Sequence, residues 1–319
     1  MSEETRTYTE MQNKYMNSLR SICFPILNKM ETKRKILHSI FIILLPLAIL
    51  SIIGLIVIGT MKIENLTHFT PIMMLFSFIV FAIYAFLTKN FEIEVKKQIM
   101  PTLCKALGDI NWKQSPAISH NLYIDSKILP STFNKVKVDD VFNGSYKGIN
   151  YNIVEAQYSK KEVRHTREGR KTEYVTIFDG LLITLDMNKN FNSHTLIRTN
   201  LFGRLIPNGD LKHTTLEDVE FEKKFDVFTN DEVDARYLIT PSFMERLNNV
   251  KMSFISPTIE CAFYQDKLII GLQGIPNMFH VGSIWKPLTD EKQYFKMFEE
   301  ILSIIKLIDH FKLDQKIGL

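Results

Sequence analysis

The residues best suited to chemistry in this chain are cations. Between Lys160 and Lys171 it reads KKEVRHTREGRK, where Lys160, Lys161, Arg164, Arg167, Arg170 and Lys171 outnumber Glu162 and Glu168. Lying between two strand-like segments, this run reads as an exposed loop. Its charge suits an acidic protein partner or anionic lipid headgroups, the latter worth up to about 1 kcal/mol per basic residue close to the surface. A solvated loop is the simplest reading, partner binding comes second, and lipid contact last. A second cation, Arg236, interrupts the apolar run VDARYLI. It either pairs with a carboxylate such as Glu217 or Glu222 or stays exposed for a ligand; internal pairing is the expectation.

Other chemistry finds little support. No Gly-rich loop ends in Lys-Ser/Thr, and there is no HExxH, GxSxG or dinucleotide fingerprint. The 8 histidines are scattered, none at ligand spacing from another histidine or a cysteine. The 3 cysteines, Cys23, Cys104 and Cys261, read as reduced thiols. Glu217, Asp218, Glu220 and Glu222 read as a solvated helix face. No catalytic residue, metal site or cofactor is assigned. The net charge of +4 over 319 residues does not point to nucleic acid.

The elements that must position these cations begin with two apolar runs. Ile40 to Ile58 and Phe69 to Leu87 are free of charge, and a helix of about 19 residues crosses roughly 28 Å, close to a hydrocarbon core of about 30 Å. They read as a transmembrane hairpin over 36–88. Lys29, Lys33, Arg34 and Lys35 precede it, and Lys89, Lys96 and Lys97 follow it, whereas the connecting loop offers only Lys62 beside Glu64. The positive-inside rule puts both termini in the cytoplasm of a cell whose inner membrane holds the protein. A mean hydropathy of -0.02 therefore averages two greasy spans with a polar remainder.

Residues 1–35 carry a helical stripe of Tyr8, Met11, Tyr15, Leu19, Ile22 and Ile26. Residues 89–111 carry another of Phe91, Val95, Ile99, Leu103 and Leu107. Emerging side by side, the two stripes could zip into a stalk, with joints at Pro25 and Pro101 and with Cys23 and Cys104 at similar heights. A stalk of roughly 15 residues lifts the next domain about 20 Å, beyond a Debye length of about 8 Å, which is why lipid contact ranks last for the basic run.

Residues 112–319 read as a cytosolic α+β domain built on a mainly antiparallel sheet. Strand signals recur at 149–158, 172–187, 195–198 and around Gln265-Asp266-Lys267. Interspersed helices are expected after Thr214-Thr215 (with Phe221 and Phe225 on one face), after Thr229 and after Thr240-Pro241. An amphipathic helix from Asp290 to Lys312, capped by Thr289, closes the chain.

The stretch LEDVEFEKKFDVFTNDEVDARYLITPSFMERL from Leu216, with FDGLLITLDMNKNF upstream, resembles a bacterial family known as domain of unknown function 3137. The matching positions are Phe221, Glu222, Lys223, Phe225 and Val227, then Ala235, Arg236, Tyr237, Leu238, Thr240, Pro241, Phe243, Met244 and Leu247; Asp234 replaces a more usual Glu. The resemblance implies a bacterial membrane protein with a cytosolic α+β domain and imports no activity. The residues themselves read as structural, with Tyr237 and Leu238 on a buried helix face. The functional expectation is a membrane-anchored protein-binding or scaffold module of undetermined oligomeric state; the alternative is a membrane-associated enzyme or small-molecule or lipid-sensing domain.

Overall fold

In a computed structural model the described residues are 3–61, 64–166, 169–187, 191–200, 210–254, 256–275, 278–311 and 313. They fall into two units, Met1–Leu107 with His280–Met297, and Gly108–Phe279 with Phe298–Leu319.

In the first unit, α1 (Glu3–Ser18) passes through a π turn (Leu19–Cys23) into α2 (Phe24–Met61), and a 3-10 turn (Glu64–Phe69) leads to α3 (Thr70–Leu107). Pro25 explains the π turn. Its ring lacks an N–H and crowds the carbonyl four residues back, and the helix widens so that the Phe24 N–H donates to the Leu19 carbonyl, five residues earlier. The widening shifts the buried stripe. Tyr15, Leu19, Cys23 and Leu27 are buried at intervals of four, while Ile22, expected inside, is 51% exposed. Pro101 lies within α3, which continues past it, so the helix does not end and restart there.

The α2–α3 hairpin is closed by small residues. Ser51 Oγ donates to the Met73 carbonyl at 3.0 Å and Ser77 Oγ to the Ala48 carbonyl at 3.2 Å. Gly54 has Met73 Cε at 2.7 Å from where a Cβ would sit. Such contacts let helices approach closely where water supplies no driving force. Around this seam Ile43, Leu50, Ile56, Phe78 and Phe86 are exposed. Both helices are long and apolar enough to cross a membrane.

His280–Met297 packs on these helices. Gly282, at φ 87°, leaves no room for a side chain beside Val95. Glu31 accepts from the Leu288 N–H at 3.1 Å, and Tyr15 donates to the Tyr294 carbonyl at 3.0 Å. Cys23 and Cys104 are both buried, and burial pushes the Cys23 thiol up to about 11.

The second unit holds β1 (Ile110–Gln114), α4 (Asn121–Asp125), β2 (Lys135–Tyr146), β3 (Ile149–Thr166), β4 (Gly169–Asp186), β5 (Thr195–Thr199), β6 (Lys212–Thr214), α5 (Val219–Glu222), β7 (Phe225–Thr229), α6 (Glu232–Leu238), α7 (Pro241–Ser253), β8 (Thr258–Tyr264) and β9 (Lys267–Gln273). The last helix, α8 (Glu291–His310), contributes its first residues to the first unit and the rest to the second. The fold is α+β. Among the described residues the strands make one antiparallel sheet of order β1-β2-β3-β4-β9-β8-β5-β7-β6.

Two turns set its registers. Lys147-Gly148, at φ 50° and 79°, joins β2 to β3, and Gln265-Asp266, at 49° and 55°, joins β8 to β9; two residues at positive φ match the twist of a hairpin. At Gly180 a Cβ would stand 2.0 Å from the Leu272 carbonyl oxygen, so the β4–β9 pairing requires glycine. One face of the sheet carries Leu182, Leu196, Phe228, Ala262 and Ile269 against Tyr123, Ile128 and Leu129. The opposite face carries Phe263, which meets Phe243 of α7, itself stacked on Phe311 at the end of α8.

Several local expectations change. Phe225 lies in β7 rather than on a helix with Phe221; all five residues of β7 are buried, as suits an internal strand. The two rings still meet at 4.8 Å. Asp218 and Asp231 cap α5 and α6 in place of the threonines, because a carboxylate accepts two helix-start N–H groups at once. Thr240 does accept from the Phe243 N–H at 3.2 Å. At α8 it is Asp290, not Thr289, that accepts from the Lys292 N–H. The stripe of Tyr294, Phe298, Ile301, Ile305 and Ile308 is buried as expected.

Candidate functional site

The basic run is not a loop. β3 and β4 are each 18 residues long and pair without interruption from Ser159↔Thr176 to Thr166↔Gly169. The neighbouring strands stop early. β2 begins opposite Ser159, where the Asn134 side chain accepts from the Lys161 N–H at 2.8 Å. On the other side β9 ends opposite Gly180, with Gly274 N–H donating to the Asp179 carbonyl and Gln273 Nε2 to that of Ile177. Among the described residues, Lys160–Thr166 and Gly169–Val175 therefore form a two-stranded ribbon with no strand on either side. It extends about 20 Å beyond the sheet at about 3.4 Å per residue. Polarity hid it from the sequence because a ribbon with no buried face shows no apolar alternation.

The register sorts its side chains. Lys161 pairs with Tyr174 and Val163 with Thr172, on the face that also holds Arg170; no carboxylate occupies any position of that face. Lys135 stands 5.9 Å from the Tyr174 ring centre. The opposite face carries Lys160, Glu162, Lys171 and Glu173, and there Lys171 and Glu173 are 2.8 Å apart. Lys160, Lys161, Arg170 and Lys171 are exposed, as are Tyr174 at 57% and Val163. Arg164 takes its strand position opposite Lys171, and Arg167 lies outside the described residues.

Arg236 lies on α6 and not on the ribbon. It is exposed and lies 3.6 Å from Glu232, one turn earlier on α6, rather than against Glu217 or Glu222. Glu222 is already engaged, accepting from the Leu216 N–H at 2.6 Å. Tyr237, expected inside, is 59% exposed, since the short helix α6 buries only Ala235 and Leu238.

Two polar features escaped the sequence because their parts come from distant strands. Arg198 on β5 is in register with Asp226 of β7 and Glu260 of β8. Its Nη2 donates to the Lys127 carbonyl at 2.6 Å, and its Nε lies 3.4 Å from Glu260. Burial pushes the Glu260 carboxyl up to about 7 against the pull of Arg198, and burial raises Asp226 as well. Nearby, an open polar cavity of about 600 Å³ is bordered by Asp125, Lys127, His194, Asp210, Tyr264 and Asp266. His194 Nε2 faces the Ser126 carbonyl at 3.1 Å, so that nitrogen carries the proton, and burial keeps the ring's pKa low. Lys127 and Asp210 are 3.7 Å apart. Among the described residues no three His, Cys, Asp or Glu side chains gather to hold a metal ion.

Residues 176–313 match the family described as Protein of unknown function (DUF3137). The resemblance expected from the residues is met over this stretch. The DUF3137 match takes in most of β4 and every element after it, and leaves out α1–α3 and the ribbon up to Val175. No curated protein matches the chain. Among solved structures, the mycobacterial trehalose monomycolate transport factor A is similar at 12% identity and a TM-score of 0.34, over 68% of this chain and 94% of that one.

Proposed function

We propose that this protein is a membrane-anchored binding module. α2 and α3 hold it in the inner membrane with both termini in the cytoplasm, and the ribbon captures an acidic, extended segment of a protein partner. The observation that carries the reading is the ribbon's carboxylate-free face, with Lys161, Arg170 and exposed Tyr174 in strand register. A ribbon with open edges offers main-chain pairing to an extended peptide, and alternate side chains then choose its charge. Membrane anchorage is supported by the charge-free apolar surface of the α2–α3 hairpin and by the clustering of Lys and Arg outside it.

The test is affinity capture of the full chain from its native membranes, comparing the parent protein with a Lys161→Glu/Arg170→Glu variant. A partner with an acidic segment, lost on charge reversal and retained in Arg236→Glu, supports the proposal; capture indifferent to the ribbon charges overturns it. A second reading, a small-molecule sensing domain, draws on the polar cavity beside His194, and a metabolite-binding screen of the same sample addresses it.

A further inference from the structure

We infer that the segment preceding α8 is a third point of membrane contact, with Trp285 seated in the headgroup region of the same bilayer that the α2–α3 hairpin crosses. The inference rests on the proposed bilayer placement of that hairpin. Within the first unit, Trp285 Nε1 donates to the Tyr84 hydroxyl at 3.0 Å, and the indole lies edge-on to His38 at 5.2 Å between ring centres. Tyr84 in turn meets Phe41 at 5.0 Å.

These partners mark the level at which the helices change character. His38 stands just before the charge-free run that starts at Ile40, and Tyr84 lies shortly before Leu87, where the second run ends. Towards the apolar side of this level Ile40 on α2 and Phe81 and Ile83 on α3 are exposed. Away from it come the Lys33–Glu94 ion pair and the buried Arg34–Glu31 pair. An indole at such a boundary, with its N–H already bonded and 43% of its surface open, has the amphipathic character that concentrates Trp and Tyr at bilayer interfaces.

The segment is built to hold that position. Ile284 and Leu288 are buried on either side of Trp285, Arg34 Nη1 donates to the Ile284 carbonyl at 2.6 Å, and Gly282 fits against Val95. Lys286, exposed beside the indole, is placed to reach lipid phosphates. Trp285 bonds Tyr84 and meets His38 at the end of the two charge-free runs, whose apolar residues Ile40 and Ile83 are exposed, which argues for lipid over a protein occupant.

The protein has 2 tryptophans, Trp112 and Trp285, so Trp112→Phe leaves Trp285 as the sole indole. The full chain carrying this change, reconstituted in phosphatidylcholine vesicles, should show blue-shifted emission. Lipids brominated near the headgroup should quench it more than lipids brominated near the chain end, and aqueous acrylamide should quench it weakly. Trp112 donates to buried Asp140 at 2.8 Å, so if that variant does not fold, the difference in emission between the parent and Trp285→Phe gives the same reading. Acrylamide quenching without bromolipid quenching, in a protein that resists alkaline-carbonate extraction, overturns the inference and leaves the membrane reading standing. Release by carbonate overturns both.

Discussion

Arg34 and Ile284, 250 residues apart, are joined by a 2.6 Å hydrogen bond from the guanidinium to a backbone carbonyl. The same guanidinium holds Glu31 through Nε at 2.9 Å, and Glu31 accepts from the Leu288 N–H. One buried cation thus ties the segment before α8 to the cytosolic end of the proposed span.

Removing it should be costly. Arg34→Met leaves Glu31 and the Ile284 carbonyl without their partner, at about 3–5 kcal/mol for an uncompensated buried group. Thermal melting in detergent, together with limited proteolysis around Trp285, measures it. Arg34→Lys should restore only part of the loss, because an ammonium cannot bond both partners with the geometry of the guanidinium.

The Arg198–Glu260 pair should give stability a pH dependence. The Glu260 carboxyl sits at about 7 in the folded protein against an ordinary 4.5, so between these values the folded state holds a proton that the unfolded state has lost. Stability is full below about 4.5 and falls as pH rises through about 7. Asp226, also raised by burial, adds a contribution of the same sign. Melting of Glu260→Gln across this range should show a flatter profile than the parent; an unchanged slope would place the dependence elsewhere.

Arg236 should matter little to stability. Its pair with Glu232 is exposed on both sides, and such pairs contribute about 0–1 kcal/mol. Arg236→Met should melt within about 1 kcal/mol of the parent. A larger loss would mean that the guanidinium makes a further buried contact.

Topology is tested by reporter fusions. A fusion after Leu319 should report from the cytoplasm, and one in the 62–68 connection from the opposite side. A C-terminal fusion reporting from the periplasm would sink the proposed orientation.

Much of the architecture was legible because its causes are local. Charge-free runs mark α2 and α3, a two-residue turn marks Lys147-Gly148, and spacing marks the buried stripe of α8. What failed did so where a distant partner or one residue's chemistry overrode the period. Pro25 forces a π turn that exchanges Ile22 for Cys23, β7 is a strand because it is enclosed by β5 and β6, and Tyr237 is outside because α6 buries only one narrow edge. The basic cluster was visible by composition, but its form was not, since a free ribbon has no buried face to impose alternation. The row Asp226, Arg198 and Glu260 was invisible because three strands far apart in sequence assemble it.

The central claim, that the ribbon captures an acidic protein segment at the membrane, is tested most directly by a photo-crosslinking residue at Thr172, exposed on the carboxylate-free face. Irradiation of native membranes should yield one discrete protein adduct whose crosslinked peptide is rich in Asp and Glu, and Lys161→Glu/Arg170→Glu should abolish it. Adducts only to lipid, or a protein adduct that survives the charge reversal, would contradict the account.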